Sequence, residues 1–440
     1  MTINFGKRLV TARITWLAVL GFLLTLFLYY PGNIRDNDSV DQFQQSLTFH
    51  FNDWHPVVMA LAWSALNRAS RGPQLMLVLQ LALYWASAYF LLAAAPPHLS
   101  SRRRVAMVGL VAAPFVLVFL GEIVKDVQLV GAWAFAATCA YWVRSSGKRL
   151  PIAATIGLAV LVLYGGLLRN NAAIVSAPLA LYVVSDRPWL ASAWKTVVTY
   201  VAIGVCVVIV SKGLSAAVNA TPSMQLRSLL TFDLVGISKA TRVNMLPLPL
   251  TAPEFARVLD SYDGSSQDFI RSGPASFIWG REEAAGITNR MMLRFWLSGV
   301  AAHPLAYVAH RARFLRSFAF IRPNEPYSHV ARSIFTKPVV WIVLLIAVTV
   351  WFLLSELPGP AARFVQTELI VAVTYLATYV PFGVSWGFRY CYLIMTCITF
   401  TGCVLVSTGV PTEAPQPAAL AGRGSTQTDA VTVGPGLDDR

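Results

Sequence analysis

Charge is what this chain has least of. Only 13% of its 440 residues are Asp, Glu, Lys or Arg, against about 25% in an ordinary soluble domain. Acids are the scarcer sign, 21 against 35 Lys and Arg. With 56% hydrophobic residues, that deficit argues against a water-soluble fold. Cysteine is sparse too: Cys139, Cys206, Cys391, Cys397 and Cys403 all fall in apolar stretches without CxxC spacing, so neither a disulfide framework nor a zinc site is indicated. No P-loop, GxGxxG, HExxH or GxSxG occurs in a convincing context, which argues against nucleotide-driven pumping, zinc proteolysis and serine-hydrolase chemistry. Basic residues do not interleave with aromatics along one soluble face, so the net charge of +14 does not point to nucleic acid. No internal repeat is visible.

What the chain does have is long apolar runs. A helix crossing a hydrocarbon core about 30 Å thick needs roughly 17 to 25 residues, and windows of that kind recur from Ile14 to near Val410. The reading is an all-α polytopic membrane protein with about ten spans (range 9–12), near 14–30, 75–95, 105–120, 128–143, 152–168, 172–184, 196–210, 339–354, 365–381 and 391–410. A basic start (Lys7, Arg8, Arg13) and no A-x-A-like exit mark the first span as uncleaved. With the N-terminus inside, Arg102 to Arg104, Arg144, Lys148, Arg149, Arg187, Lys195, Arg363, Arg423 and Arg440 also fall on the cytoplasmic side, as the positive-inside tendency asks.

That orientation requires the apolar run Pro56 to Leu66 to lie flat on the outer surface within one long external loop, 31–74, because a span there would put Arg102 to Arg104 outside. The division is then an N-terminal membrane module, 1–210, an extracytoplasmic and interfacial region, 211–338, and C-terminal spans, 339–410. The piece Met291 to Ile321 alternates apolar blocks with Arg294, His303, His310, Arg311, Arg313 and Arg316, which suits an interfacial amphipathic helix; a span there would invert everything after it. The tail 411–440 is too poor in apolar surface to fold and reads as a disordered cytoplasmic end.

Functional residues gather outside the spans. Asp36, Asp38 and Asp41 crowd the first external loop. A helix beginning at Ser39 makes Asp38 its N-cap and sets Asp38, Asp41 or Gln42, and Gln45 on one face; capping alone would account for Asp38. The loop closes with Asp53-Trp54-His55-Pro56, where Pro56 opens a helix at its first position. Free amides there plus His55 make a phosphate seat, although a capping His55 and an interfacial Trp54 are the plainer alternative. The next external turn holds Glu122, Lys125 and Asp126; charges so near lipid face a cavity or a partner, or else Lys125 pairs locally with Asp126 or Glu122. Arg169-Asn170-Asn171 and Arg389-Tyr390 bring one guanidinium each to the same side. Arg binds phosphate oxygens bidentately and keeps its proton, with snorkelling or an interhelical ion pair as the alternative for each.

In layout the chain resembles the GT-C class of integral-membrane glycosyltransferases. The resemblance rests on Tyr30-Pro31-Gly32, Asp38-Ser39, Gln42, Asp53-Trp54-His55-Pro56, Lys125-Asp126, Arg169-Asn170-Asn171 and Arg389-Tyr390, across residues 10 to about 400, and is nearest to an uncharacterised bacterial branch with a YPG...DS..Q...DWHP first loop. It implies inverting sugar transfer from a polyprenyl-phosphate donor to a glycan, lipid or protein acceptor at the outer face of the bacterial inner membrane, both termini cytoplasmic. By the same resemblance Asp38 is the general base, with Asp36 or Asp41 as substitutes. Glu122 and Asp126 orient acceptor or metal; His55, Lys125, Arg169 and Arg389 meet the donor phosphate; Gln42, Asp53, Trp54, Asn170 and Tyr390 line the substrate. An adjacent Asp-Glu pair found in some class members is missing, which leaves metal open between none and a divalent Mg or Mn. The competing classes are a transporter or flippase of lipid-linked saccharides, which expects charges deeper in the spans, and a non-catalytic assembly partner, which needs no convergent acids.

Overall fold

A computed structural model describes residues 2–185, 193–320, 334–385 and 387–408. The side chains of Lys7 and Arg8, together with Arg187, Ile321, Trp386 and the tail 411–440, lie outside the described residues. Among the described residues the structure is helical, with no strand and two single bridges, Asn33 with Glu122 and Asn52 with Thr221.

The N-terminal part runs α1 (Thr2–Tyr29), α2 (Asn37–Thr48), α3 (Val58–Asn67), α4 (Gln74–Ala93), α5 (Ser101–Val111), α6 (Pro114–Leu117), α7 (Lys125–Ser145), α8 (Ile152–Leu167), α9 (Ala172–Val184) and α10 (Ala193–Ala217). A lobe follows of α11 (Gln225–Thr241), α12 (Ala252–Ser261), α13 (Asp268–Arg271), α14 (Phe277–Ala284), α15 (Asn289–Ala302) and α16 (Pro304–Ala319). The chain closes with α17 (Pro338–Leu353), α18 (Gly359–Phe382) and α19 (Tyr392–Thr408), the last preceded by a 3-10 turn, Phe388–Cys391.

Among the described residues five segments are long and apolar enough to cross a membrane: Thr11–Tyr29, Gln74–Ala93, Trp194–Ala217, Gly359–Phe382 and Phe388–Thr408. α8, α9 and α17 are apolar but shorter. On α1 and α10 the apolar side chains face away from protein, Phe27 at 82% and Trp194 at 73% exposure, which a helix in water would not sustain. This is a helical membrane protein.

α4 and α7 form the centre, with α1, α8 and α19 packed around them. Their seam is bolted by a buried amide pair: Gln128 donates to Gln80 Oε1 at 2.8 Å, and Gln80 donates to the Leu120 carbonyl at 2.6 Å and the Glu122 carbonyl at 3.2 Å. Each such bond adds about 0.5–1.5 kcal/mol net, and orphaning a buried partner costs about 1–3 kcal/mol. The pair therefore fixes the turn before α7, where the charged residues begin.

Several boundaries differ from those read off the sequence. The run 105–120 is broken into α5 and α6, because Pro114 has no N–H to donate and holds Ala113 extended, at φ −64° and ψ 134°. α7 begins at Lys125, so Lys125 and Asp126 stand in its first turn and not in a loop. α10 runs past residue 210 to Ala217, so the boundary at 210 falls inside a helix. The piece from Met291 is two helices, divided at His303 by Pro304, which opens α16. α11 to α16 share their own core, with Phe232, Ile270, Ile278, Met292 and Phe314 buried in it.

Candidate functional site

Two short backbone contacts bring the acidic loop to α7. Asn33 N–H donates to the Gly121 carbonyl at 2.8 Å and Ile123 N–H donates to the Asn33 carbonyl at 3.0 Å. Gly32 makes the approach, at φ +106°, where a Cβ would sit 3.0 Å from Ile123 Cδ1. Only glycine takes that conformation without cost.

α2 begins at Asn37, two residues earlier than the sequence suggests. Asp36, in extended conformation, is its N-cap and accepts from the Asp38 N–H at 2.9 Å. Relieved of capping, Asp38 points its carboxylate at α7. Its Oδ2 accepts from Lys125 Nζ at 2.9 Å and Arg389 Nη2 at 3.0 Å, and its Oδ1 lies 3.0 Å from His55 Nε2. His55 Nδ1 is 2.7 Å from Lys125 Nζ. The sequence alternative of a local Lys125 pair with Glu122 or Asp126 is not what forms.

His55 is no helix cap either. α3 opens at Val58 with Val57 at its N-cap and no side-chain bond there, and Pro56 stands before it. The imidazole is buried and turned to Asp38 and Lys125, and the helix starts at Val58 and not at Pro56.

Burial would raise the Asp38 pKa, but the Lys125 ammonium and the His55 hydrogen bond prevail and hold the carboxyl well below its usual range. For His55, burial first and the Lys125 charge second push the pKa down, against the pull of Asp38. These contacts suit the tautomer that donates from Nε2 to Asp38 and accepts at Nδ1 from Lys125.

A second group adjoins the first through Arg389 and Tyr390. Arg389 also pairs with Asp36, and it donates to the Tyr390 hydroxyl at 3.1 Å. Arg169 lies over the Tyr390 ring, 4.8 Å from its centroid. It pairs with the buried Asp126 and donates to the Tyr379 hydroxyl and Asn171 Oδ1, each at 3.3 Å. Three carboxylates (Asp36, Asp38, Asp126) thereby face three fixed cations (Lys125, Arg169, Arg389). The second carboxylate oxygen of Asp126 is buried with no hydrogen-bond partner among the described residues, and the same holds for Gln42 Oε1 on α2.

The other predicted site residues stand around this core. Glu122 accepts from Asn33 Nδ2 at 3.1 Å; burial raises its pKa against that bond and the Arg35 charge. Asp41 is turned away, accepting from Gln45 at 2.7 Å and Asn52 at 3.2 Å, which bends the loop after α2 instead of facing Lys125. Asp53 ties the first loop to the segment before α11, accepting from Ser223 N–H at 2.6 Å and facing Lys212 at 3.6 Å. Asn170 donates to the Gln225 side chain. Trp54 lies beneath Arg271, whose guanidinium carbon is 3.5 Å from the ring centroid.

Asp36, Asp38 and Asp126 are each committed to a cationic side chain, and no three His, Cys, Asp or Glu stand together to hold an ion among the described residues.

Asn33, Gln80, Tyr379 and Arg271 were not singled out in the sequence. Gln80 carried a signal, a polar amide in the middle of a span; the others acquire their partners only through tertiary contact. A further buried charge group also went unread: in the lobe, Asp233 accepts from His310 Nε2 at 2.9 Å and Trp296 Nε1 at 2.8 Å and forms an ion pair with Arg311, whose Nη2 lies 2.6 Å from its Oδ1. Arg311 in turn donates to the Gly383 carbonyl at 2.6 Å, which fastens the lobe to the end of α18.

Compared with family models, curated proteins and solved structures, the chain matches none.

Proposed function

We propose that the chain is an inverting membrane glycosyltransferase of the GT-C kind, transferring a sugar from a polyprenyl-phosphate donor to an envelope glycan, lipid or protein acceptor. The observation that carries this reading is convergence: Asp38 and His55 from the first loop, Lys125 from the start of α7 and Arg389 from the turn before α19 come from three distant parts of the chain and meet within 3.0 Å contacts. A carboxylate enclosed by cations is what a reaction needs that removes a proton and releases a phosphate.

In the transfer the acceptor hydroxyl oxygen attacks the anomeric carbon, on the face opposite the phosphate. Its proton passes to Asp38. The anomeric carbon–oxygen bond breaks, and its electron pair leaves with the polyprenyl phosphate. Held by three partners, Asp38 is a poor base in the resting cluster. The donor phosphate competes for Lys125 and Arg389, and as they turn to it the Asp38 carboxyl regains basicity. Arg169 and His55 complete the seat of the leaving phosphate. Asp126 and Glu122 orient the acceptor, for which the unpartnered Asp126 oxygen supplies an open hydrogen-bond site.

In the finer topology of this reading, the ten spans are α1, α4, the broken α5–α6, α7, α8, α9, α10, α17, α18 and α19. The termini are cytoplasmic, in a bacterial inner membrane, and the cluster faces outward. The test is incubation of the purified protein with a panel of polyprenyl-phosphate sugars. Release of lipid phosphate with glycosylation of an acceptor is the expected result; movement of intact donor across a vesicle bilayer without release would replace the reading with a transporter.

A further inference from the structure

Every cation in the cluster is already answered by a carboxylate: Lys125 by Asp38, Arg389 by Asp36 and Asp38, and Arg169 by Asp126. An incoming phosphate must displace an internal partner at each of them. Arg271 differs. It ends α13 in the lobe, is exposed, and makes neither an ion pair nor a hydrogen bond among the described residues. It is nevertheless held in place, because its guanidinium carbon lies 3.5 Å from the Trp54 ring centroid.

The guanidinium carbon also lies 5.7 Å from the Trp279 ring centroid, and with its N–H groups unpaired among the described residues Arg271 keeps the donors that Arg uses for bidentate phosphate bonds. Trp54 also fixes where those donors lie. Its neighbour His55, with ring centroids 6.3 Å apart, bonds Asp38 directly. Partial burial lowers the guanidinium pKa, against the charges of Asp268 first and Asp38 second. Arg271 thus stands at the edge of the acidic cluster, on the lobe, with its hydrogen-bonding capacity unused.

We propose that Arg271, seated on Trp54, is a phosphate-binding residue of the donor subsite, recognising the phosphate of a prenyl-phosphate ester before Lys125 and Arg389 leave Asp38. This rests on the donor class proposed above. It assigns Trp54 the role of holding Arg271, and makes the lobe contribute to donor recognition.

The test is calorimetric titration of the detergent-purified full chain with farnesyl phosphate, inorganic phosphate and farnesol. Arg271→Ala is expected to weaken farnesyl phosphate binding at least about tenfold, Arg271→Lys less, and Trp54→Leu by several-fold, with farnesol affinity unchanged and the thermal midpoint kept. An equal fold-loss for inorganic phosphate locates the recognition in the anion alone, and a loss confined to farnesyl phosphate locates it in the esterified headgroup; either supports Arg271. Wild-type affinity of Arg271→Ala for farnesyl phosphate overturns the assignment. The titration needs no sugar transfer, so a chain that transfers nothing yet shows the Arg271 loss sinks the transferase reading alone. A transferring chain with unchanged Arg271→Ala binding sinks the Arg271 assignment alone.

Discussion

Arg389 reaches Asp38 Oδ2 at 3.0 Å from 351 positions further along the chain. This contact joins the turn before α19 to the start of α2 and places both on one side of the helix bundle. With the Asp38–Lys125 bond at 2.9 Å, it means that no one of these charges is held by its own element. Their arrangement is a property of the tertiary fold.

Removing a single charge from this set therefore costs more than removing a pair. Lys125 and Asp38 side chains are 8% and 22% exposed, and Lys125→Met leaves the Asp38 carboxylate with Arg389 and His55, so it is expected to destabilise the protein by less than the about 3–5 kcal/mol typical of a fully broken buried pair. Asp38→Asn/Lys125→Met should recover part of that loss, because the carboxylate that lost one of its two cations is then gone. Thermal unfolding in detergent, followed by circular dichroism, checks the order.

Arg169→Lys is expected to behave as a disruptive change. Lys keeps the charge against Asp126 but gives up the separate bonds to Tyr379 and Asn171 and the stacking on Tyr390. A lower thermal midpoint and a transfer rate reduced about tenfold or more, with donor still bound, are the expected readouts.

Gly32→Ala tests the link between fold and site. The strained φ costs roughly 1–2 kcal/mol, and the new methyl meets Ile123. The Asn33 bridge to Gly121 and Ile123 should loosen, and with it the approach of Asp38 to Lys125. The expected outcome is reduced stability together with faster amide exchange at Asn33 and Ile123.

The overall architecture was legible in the sequence because lipid imposes it. Apolar runs long enough to span, and charges confined to their ends, leave few alternatives to helices. The charged residues later found together could be named one by one, as with Asp38, His55, Lys125 and Arg389, because ionisable groups near lipid are rare. Their partners could not. Whether Lys125 bonds Asp126 beside it or Asp38, 87 positions away, depends on the Asn33 bridge and the Gln80 bolt, which composition does not encode. The cap moved from Asp38 to Asp36 for a similar reason: either Asp suits the position locally, and tertiary attraction to Lys125 and Arg389 decides between them. The break at Pro114 was readable in principle and was overridden by the apolar run around it.

In the lobe, Glu282 faces Arg227 at 3.4 Å and accepts from Thr231 at 2.9 Å, yet burial outweighs both and pushes its pKa from 4.5 up to about 7. Below pH 4.5 folded and unfolded chains both hold the proton. Between 4.5 and about 7 the folded chain holds it more firmly, so Glu282 makes stability fall as pH rises through that window. Glu282→Gln should flatten this dependence, seen as a smaller difference in thermal midpoint between pH 5 and pH 8 than in the wild type.

The most direct test of the central claim is the single-turnover release of lipid phosphate from a polyprenyl-phosphate sugar by Asp38→Asn protein that retains wild-type helicity. If Asp38 accepts the acceptor proton, release slows about 10²–10⁴-fold while farnesyl phosphate still binds. A wild-type release rate would contradict the account.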